Sequence, residues 1–144
     1  MQALRKFSSE KAIALQNKLS KKVEKRSFLP KRLKRIGGLD VAYFDDKAIG
    51  SCAVLDYETL KPLETITVLT KVTVPYVPGF LAFREGPIMV KTAKKLNLKP
   101  DVYLVDGQGI AHPRRFGLAS HVGVLLDSAT IGVAKSRLYG EIKG

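Results

Sequence analysis

Three acidic side chains interrupt apolar stretches of this sequence, and they constrain its fold more than any other feature. They are Asp40, Glu85 and Asp106. A carboxylate buried without a partner costs several kcal/mol, so the folded chain must compensate each of them. Either the three converge where a cation offsets their repulsion, or each is satisfied separately by a backbone amide or a basic side chain. The spacing in the sequence leaves both arrangements open.

The surroundings of the two aspartates predict strands. Asp40 lies within 36–44, a stretch typical of a strand, and Asp106 ends the apolar run 102–105. A continuous apolar run of this kind indicates a strand that is buried on both faces. We therefore expect Asp106 at the carboxyl end of a buried strand, where ligands gather in open α/β sheets.

The surroundings of Glu85 predict a helix from about 80 to 96. Glu85 is four residues from both Leu81 and Met89, so the 3.6-residue period places it on their inward face. The other members of that face are Ile88, Thr92 and Leu96. If the three carboxylates meet, hard oxygen ligands without a Cys or His partner favour Mg²⁺ or Mn²⁺ as the compensating cation.

The order of the remaining elements predicts the fold class. The further strands are 49–55, 63–74, 102–106 and 130–134, and a second helix spans 116–126. Three successive strands followed by alternating helices and strands predict an α/β fold. Its mixed sheet has three antiparallel strands, then parallel βαβ units, flanked by helices. Lys135 then lies at the carboxyl end of the last strand.

Length and composition indicate one domain and a reducing compartment. The chain has 144 residues and a single cysteine, Cys52, which we expect to be a buried, inert thiol. No apolar run approaches the roughly 18–20 residues of a membrane span, and no signal-peptide core is present. These features predict a cytoplasmic protein without a membrane partner.

The positive charge is concentrated at the N-terminus. Residues 1–35 contain twelve Lys and Arg against two acids, which accounts for +10 of the net charge of +12. We expect a basic helix capped by Ser8 or Ser9, with an apolar stripe of Ala12, Leu15, Leu19 and Val23. Such a helix binds nucleic acid, lies on a membrane surface, or packs on the domain with a solvated face. We divide the chain into this segment, 1–35, and a core, 36–144.

Several motifs closely resemble endonuclease V. In chain order they are GLDVA (38–42), PYVPG (75–79), FREGP (83–87), VDGQGIAHPR (105–114), ASHVGV (119–124) and GVAKSRL (132–138). The resemblance runs from about residue 5 to residue 144. It implies a ribonuclease H-like fold and a DNA repair endonuclease that uses Mg²⁺, with Mn²⁺ as a substitute. The family recognises deoxyinosine in DNA or inosine in RNA and hydrolyses the second phosphodiester bond 3′ to the lesion.

The resemblance also implies roles for single residues. Asp40, Glu85 and Asp106 correspond to the metal-binding acids, and Lys135 to a lysine near the scissile phosphate. His112 corresponds to a histidine close to the catalytic and lesion-binding region, where it positions water or substrate. A second histidine, His121, shares the inner face of its helix and is expected to be a hydrogen-bonded core residue.

The loop 75–78 is stiff because it contains two prolines, which fix their own φ and extend the residues before them. Tyr76 on such a loop either fills the gap left by an extruded base or belongs to an ordinary strand-to-helix connection. The resemblance favours a wedge formed by Tyr76 and Pro78. Gly79, Leu81 and Gly107 correspond to the lining of the flipped-base pocket, where glycine amides would donate to the hypoxanthine carbonyl.

Compared with the family, we expect this chain to lack the C-terminal part that completes the substrate surface and supplies a further residue near the metal. Two alternatives to an active lesion-specific nuclease therefore stay open. One is a catalytically weak or inactive fragment that binds nucleic acid. The other is a different ribonuclease H-like nuclease, specific for DNA or RNA structure, that would ignore inosine.

Overall fold

A computed structural model describes residues 7–27 and 29–143 of the chain. Its elements follow the predicted order, with bounds that differ from the predicted ones by one to three residues at most ends. They are α1 (Ser9–Ser20), β1 (Arg35–Phe44), β2 (Lys47–Asp56), β3 (Pro62–Lys71), α2 (Leu81–Ala93), β4 (Val102–Asp106), α3 (Leu118–Leu126) and β5 (Thr130–Val133).

The five strands form one mixed sheet in the order β3-β2-β1-β4-β5. The pairs β1–β2 and β2–β3 are antiparallel, and β1–β4 and β4–β5 are parallel. The predicted architecture of three antiparallel strands followed by parallel βαβ units is therefore confirmed. Cys52 lies fully buried in the core, as expected.

The described helices α2 and α3 cover one face of the sheet and leave the other open. Along β1 the covered face carries Leu39 and Val41, whereas Gly38 and Asp40 point to the open face. The prediction that β4 is buried on both faces is wrong, because Leu104 is exposed between two buried neighbours. Val102, on the same side as Leu104, is buried, so this side of β4 is covered at its start and open towards its carboxyl end.

Helix α1 begins at the predicted cap, where the Ser8 side chain accepts a hydrogen bond from the Lys11 amide at 3.4 Å. Its predicted apolar stripe is wrong in part. Leu15 is exposed, and the residues buried against the domain are Ala12 and Gln16. Residues 1–6 and Phe28 of the predicted basic segment lie outside the described part. Among described residues, no helix has the length and apolar character needed to span a bilayer.

His121 is a core residue, as predicted, but it lacks the expected hydrogen bond at Nδ1. It lies between the rings of Phe83 and Phe116, with ring centroids 5.5 and 5.0 Å away. Its buried Nδ1 has no hydrogen-bond partner among the described residues. Burial in this aromatic environment disfavours the charged ring and lowers the pKa of His121 to about 4.

This low pKa predicts a specific loss of stability in acid. Unfolding returns the pKa of His121 to about 6.5, so the unfolded chain takes up a proton first as the pH falls. The free energy of unfolding is therefore unaffected by protonation of His121 above pH 6.5, and it decreases as the pH falls from 6.5 towards 4. Between pH 7 and pH 5 the free energy of unfolding should fall by about 2 kcal/mol more in the wild type than in His121→Leu.

Urea denaturation at a series of pH values measures this difference. Comparison of the two proteins cancels titrations that they share, including that of Glu85. The neighbouring substitution Ser120→Ala removes no titrating group and should keep the wild-type pH dependence. Equal slopes in wild type and His121→Leu would contradict the assignment.

Candidate active site

The sheet register brings Asp40 and Asp106 side by side. Leu39 on β1 pairs with Val105 on β4, so the next residue on each of these parallel strands is an aspartate that points to the open face. Partial burial, followed by the neighbouring Asp40 carboxyl group, raises the pKa of Asp106. The Asp40 carboxylate also accepts a 2.8 Å hydrogen bond from the Val41 amide. Two of the predicted acids are therefore adjacent, although both are exposed rather than buried.

Glu85 is the buried member of the three. It lies on the inward face of α2, as predicted, and is 8% exposed. Desolvation, followed by the negative charges of Asp40 and Asp106, raises the pKa of Glu85 to about 7, and Arg84 partly opposes this rise. The three carboxylates therefore interact electrostatically, which the alternative of three separately satisfied acids does not predict.

Lys135 is a cation close to Asp106. It follows β5 by two residues, and its charge opposes the rise in the pKa of Asp106 that burial and Asp40 cause. Lys135 and Asp106 line the same cavity. The ends of two neighbouring strands thus present one positive and one negative side chain at one site.

The three acids suit a hard cation in chemistry and in charge, because they offer oxygen ligands only and repel one another. The positions of these side chains, however, do not form a metal site. Across residues 7–27 and 29–143, no group of three or more His, Cys, Asp or Glu side chains is arranged to hold a metal ion as it stands. The structure therefore supports a shared negative field at this position rather than a finished coordination shell.

A cavity of about 430 Å³ joins this acidic group to the Tyr76 loop. Its walls contain every residue predicted to bind substrate, together with two of the three acids. These residues are Tyr76, Pro78, Gly79, Leu81, Gly107, Glu85 and Asp106, with His112 and Lys135 beside them. Tyr76 is 62% exposed at the rim, which argues against a core tyrosine.

Gly107 cannot supply the donor expected of it. Its amide donates to the carbonyl of Val133 at 2.9 Å and so continues the ladder between β4 and β5. The space above Gly107 is also closed, because an added Cβ would come within 2.9 Å of the Leu118 side chain. Gly107 therefore shapes the cavity wall, and its amide is not free to bind a base.

His112 is engaged through both ring nitrogens. Its Nδ1 accepts from the Arg114 amide at 3.1 Å, so Nε2 carries the proton and donates to the Gly79 carbonyl at 2.8 Å. Burial lowers the pKa of His112, which keeps the ring neutral. Both ring nitrogens of His112 therefore have protein partners, the Gly79 carbonyl and the Arg114 amide.

The residues of the site that were not predicted from sequence include Gln16, Gln108 and Arg114. Gln16 and Gln108 line the cavity, and Gln108 donates to the Ser136 carbonyl at 2.6 Å. Arg114 donates to the Gly79 carbonyl at 3.1 Å. A signal existed for Gln16, since it follows Ala12 by four residues on the buried face of α1. Arg114 lies within a family motif, but nothing in its spacing indicates a partner.

Comparison with known proteins points to one family. The family model for endonuclease V matches residues 17–144. Endonuclease V from Dictyoglomus thermophilum is 47% identical over 134 residues, which are 93% of this chain and 58% of that protein.

Solved structures give the same result. A structure of endonuclease V from Streptomyces avermitilis superimposes with a TM-score of 0.84 at 44% identity, over 90% of this chain and 58% of that one. A variant of the Ciona intestinalis enzyme, in complex with DNA that contains an inosine, gives 0.80 at 38% identity, over 90% and 59%. Ribonuclease H2 from Pyrococcus horikoshii, at 15% identity and a TM-score of 0.51 over 69% and 61%, shares the fold alone.

Eight curated relatives at 43–48% identity are longer than this chain, which spans between 50% and 65% of their length. The matched part contains all three acids, the Tyr76 loop and Lys135. By its sequence and its fold, the chain belongs to the endonuclease V family.

Proposed function

We propose that this chain is the metal-binding and lesion-recognising part of a DNA repair endonuclease. Its substrate is a strand that contains deoxyinosine, and it hydrolyses the second phosphodiester bond 3′ to that lesion. The observation that carries the proposal is the single cavity that connects the Tyr76 loop to Glu85, Asp106 and Lys135. A volume of about 430 Å³ lies within the range of roughly 300–1,000 Å³ typical of ligand sites.

The Tyr76 loop is suited to base extrusion. Tyr76 is exposed on a segment stiffened by Pro75 and Pro78, so little conformational entropy is lost when its ring enters a base stack. The cavity behind it, walled by Leu81 and Gly107, accepts the displaced base. The Ciona intestinalis relative was solved with inosine-containing DNA, which supports DNA as the partner.

The acidic group and Lys135 are suited to phosphodiester hydrolysis. Lys135, which lines the cavity with Asp106, would stabilise the phosphate as negative charge builds up in the transition state. Asp40, Glu85 and Asp106 would hold Mg²⁺ or Mn²⁺, because a cation offsets both the burial of Glu85 and the repulsion from the two aspartates, which together raise the pKa of Glu85. When bound, the metal supplies an activated water and stabilises the leaving oxygen. Asp40 and Asp106 face the open side of the sheet, where a nucleic acid strand has access.

The basic N-terminal segment supplies general affinity. The described lysines Lys11, Lys18, Lys21 and Lys22 are exposed on or next to α1, while α1 itself is anchored to the cavity through Gln16. Lysines that neutralise phosphates bind without sequence preference and give affinity that decreases with salt. This binding brings the strand to the cavity, and the cavity then selects the lesion.

The test is cleavage of a labelled strand with one inosine, compared with the same strand carrying adenine. We expect a single nick that requires both inosine and Mg²⁺ and disappears in EDTA. Equal cleavage of the adenine strand would refute lesion specificity and favour another ribonuclease H-like nuclease. Cleavage that persists in EDTA would refute the metal.

A second candidate function is a nucleic-acid-binding module with weak or no catalysis. It is favoured by the incomplete arrangement of the acids, which do not form a coordination group within the described residues as they stand. This candidate predicts inosine-selective binding without a nick under Mg²⁺ or Mn²⁺. A plot of log affinity against log salt concentration should fall by about 0.7–0.9 for each phosphate neutralised.

A further inference from the structure

The carbonyl oxygen of Gly79 accepts hydrogen bonds from three side chains of two distant segments. The donors are Gln16 Nε2 at 3.3 Å, Arg114 Nη2 at 3.1 Å and His112 Nε2 at 2.8 Å. A carbonyl oxygen has two lone pairs, so three donors, one of them charged, saturate it. We call Gln16, His112 and Arg114 the Gly79 clamp.

The clamp is itself held in one arrangement. Gln16 is fully buried, and its Oε1 accepts from Arg114 Nε, so the two ends of its amide have different, fixed partners. Arg114 also lies over the ring of Phe80, with its guanidinium carbon 4.7 Å from the centroid. The Arg114 amide donates to His112 Nδ1. Each member therefore orients another member, which is the property of a rigid network.

The position of Gly79 gives the clamp its leverage on the Tyr76 loop. Gly79 has φ of +83°, a conformation that side-chain-bearing residues rarely adopt, and it ends the segment that carries Tyr76. Directly after it, the Phe80 amide donates to the Val77 carbonyl at 3.0 Å and closes a turn. Tyr76 is exposed, so it contributes little to holding the loop itself.

We propose that the Gly79 clamp positions the Tyr76 loop for lesion recognition, so that α1 acts in substrate selection through Gln16. This inference rests on the proposed function and extends it to residues outside the acidic group. A loop held in its working shape before binding loses less entropy on binding. Weakening the clamp should therefore reduce the preference for inosine, while general binding through the basic segment remains.

The first test needs no catalysis. Gln16→Met keeps the size of the side chain but removes both hydrogen bonds of its amide group. Arg114→Lys keeps the positive charge but removes the planar guanidinium group that bonds to Gln16 and Gly79 together. In both variants hydrogen exchange at the Phe80 amide should be about tenfold faster, as expected for the loss of one or two hydrogen bonds. Exchange in the β1 and β4 core should stay at the wild-type rate. Unchanged exchange at Phe80, or an equal increase throughout the chain, would overturn the clamp.

The second test measures the ratio of affinities for the inosine strand and the adenine strand. We expect this ratio to fall about tenfold in Gln16→Met and Arg114→Lys, again the effect of one or two hydrogen bonds. The control is Arg115→Lys, the same chemical change at the exposed residue next to Arg114, and it should leave the ratio unchanged. An inosine-selective wild type whose preference survives both clamp substitutions would refute the clamp alone. A wild type without any inosine preference would refute the proposed function as well.

Discussion

Asp106→Asn should reduce cleavage of the inosine strand by about 10³-fold. It removes one of the carboxylates proposed to hold the metal, and the metal lowers the free energy of the transition state by several kcal/mol. The substitution keeps the size of the side chain. It also removes part of the repulsion that raises the pKa of Glu85. The midpoint of thermal unfolding without metal should therefore stay the same or rise. Single-turnover nicking and a melting curve measure the two effects on one sample.

The matched control is Asp127→Asn, the same chemical change at the far end of α3. Asp127 adopts a left-handed conformation with φ of 48°, which Asn also tolerates, so the fold should not be disturbed. Its cleavage rate should equal that of the wild type. Wild-type cleavage by Asp106→Asn would show that Asp106 takes no part in the chemistry, and a lower melting midpoint would show that it is a structural residue.

Gly117→Ala should destabilise the fold by about 3 kcal/mol, the upper part of the range for overpacking a tightly packed site. A Cβ at this position would lie 2.4 Å from the Gln108 carbonyl oxygen and 2.8 Å from that of Gly109. Both contacts are with backbone, which cannot rotate away. The same backbone segment accepts hydrogen bonds from Gly117 and Ala119, so any shift would also strain these bonds. Urea denaturation measures the lower free energy of unfolding, and the slope of this free energy against urea concentration should not change.

Gly38→Ala provides the comparison for this prediction. An added Cβ at Gly38 meets nothing within 4 Å, since the residue lies on the open face of the sheet. Its free energy of unfolding should not fall, and the reduced freedom of the unfolded chain favours a gain of about 0.4–1 kcal/mol. A similar loss in both variants would mean that alanine is unsuited to these backbone conformations and that the contact with Gln108 is not the cause.

The acids show how far the sequence reaches into the site. The helical period of α2 placed Glu85 inward, and the pattern around Asp106 placed it at the carboxyl end of a strand, and both are confirmed. Burial of Asp40 and Asp106 was predicted wrongly. An apolar run records which residues tolerate burial, but whether a face is covered depends on the elements that pack against it. Here α2 and α3 cover one face only, so both aspartates are exposed.

The glycines around the cavity show the opposite case. In the sequence, Gly107 resembled a donor in a glycine-rich turn. In the fold, the segment 107–109 passes between Gly117 and Gly132, whose Cβ atoms would come within 2.4 and 2.6 Å of its backbone. The requirement for glycine therefore comes from close packing of three segments, which no local spacing reveals.

By itself, the sequence determined the order and type of the elements, the sheet class, the inward position of Glu85 and the family. These features depend on local periodicity and on motifs that lie within single segments. The tertiary structure decided that Asp40 lies beside Asp106 and that one face of the sheet is open. It also decided that both ring nitrogens of His112 are hydrogen-bonded and that Gln16 and Arg114 bind the Gly79 carbonyl. These features depend on how segments up to 98 residues apart pack against one another, and on which faces they leave uncovered, rather than on spacing along the chain.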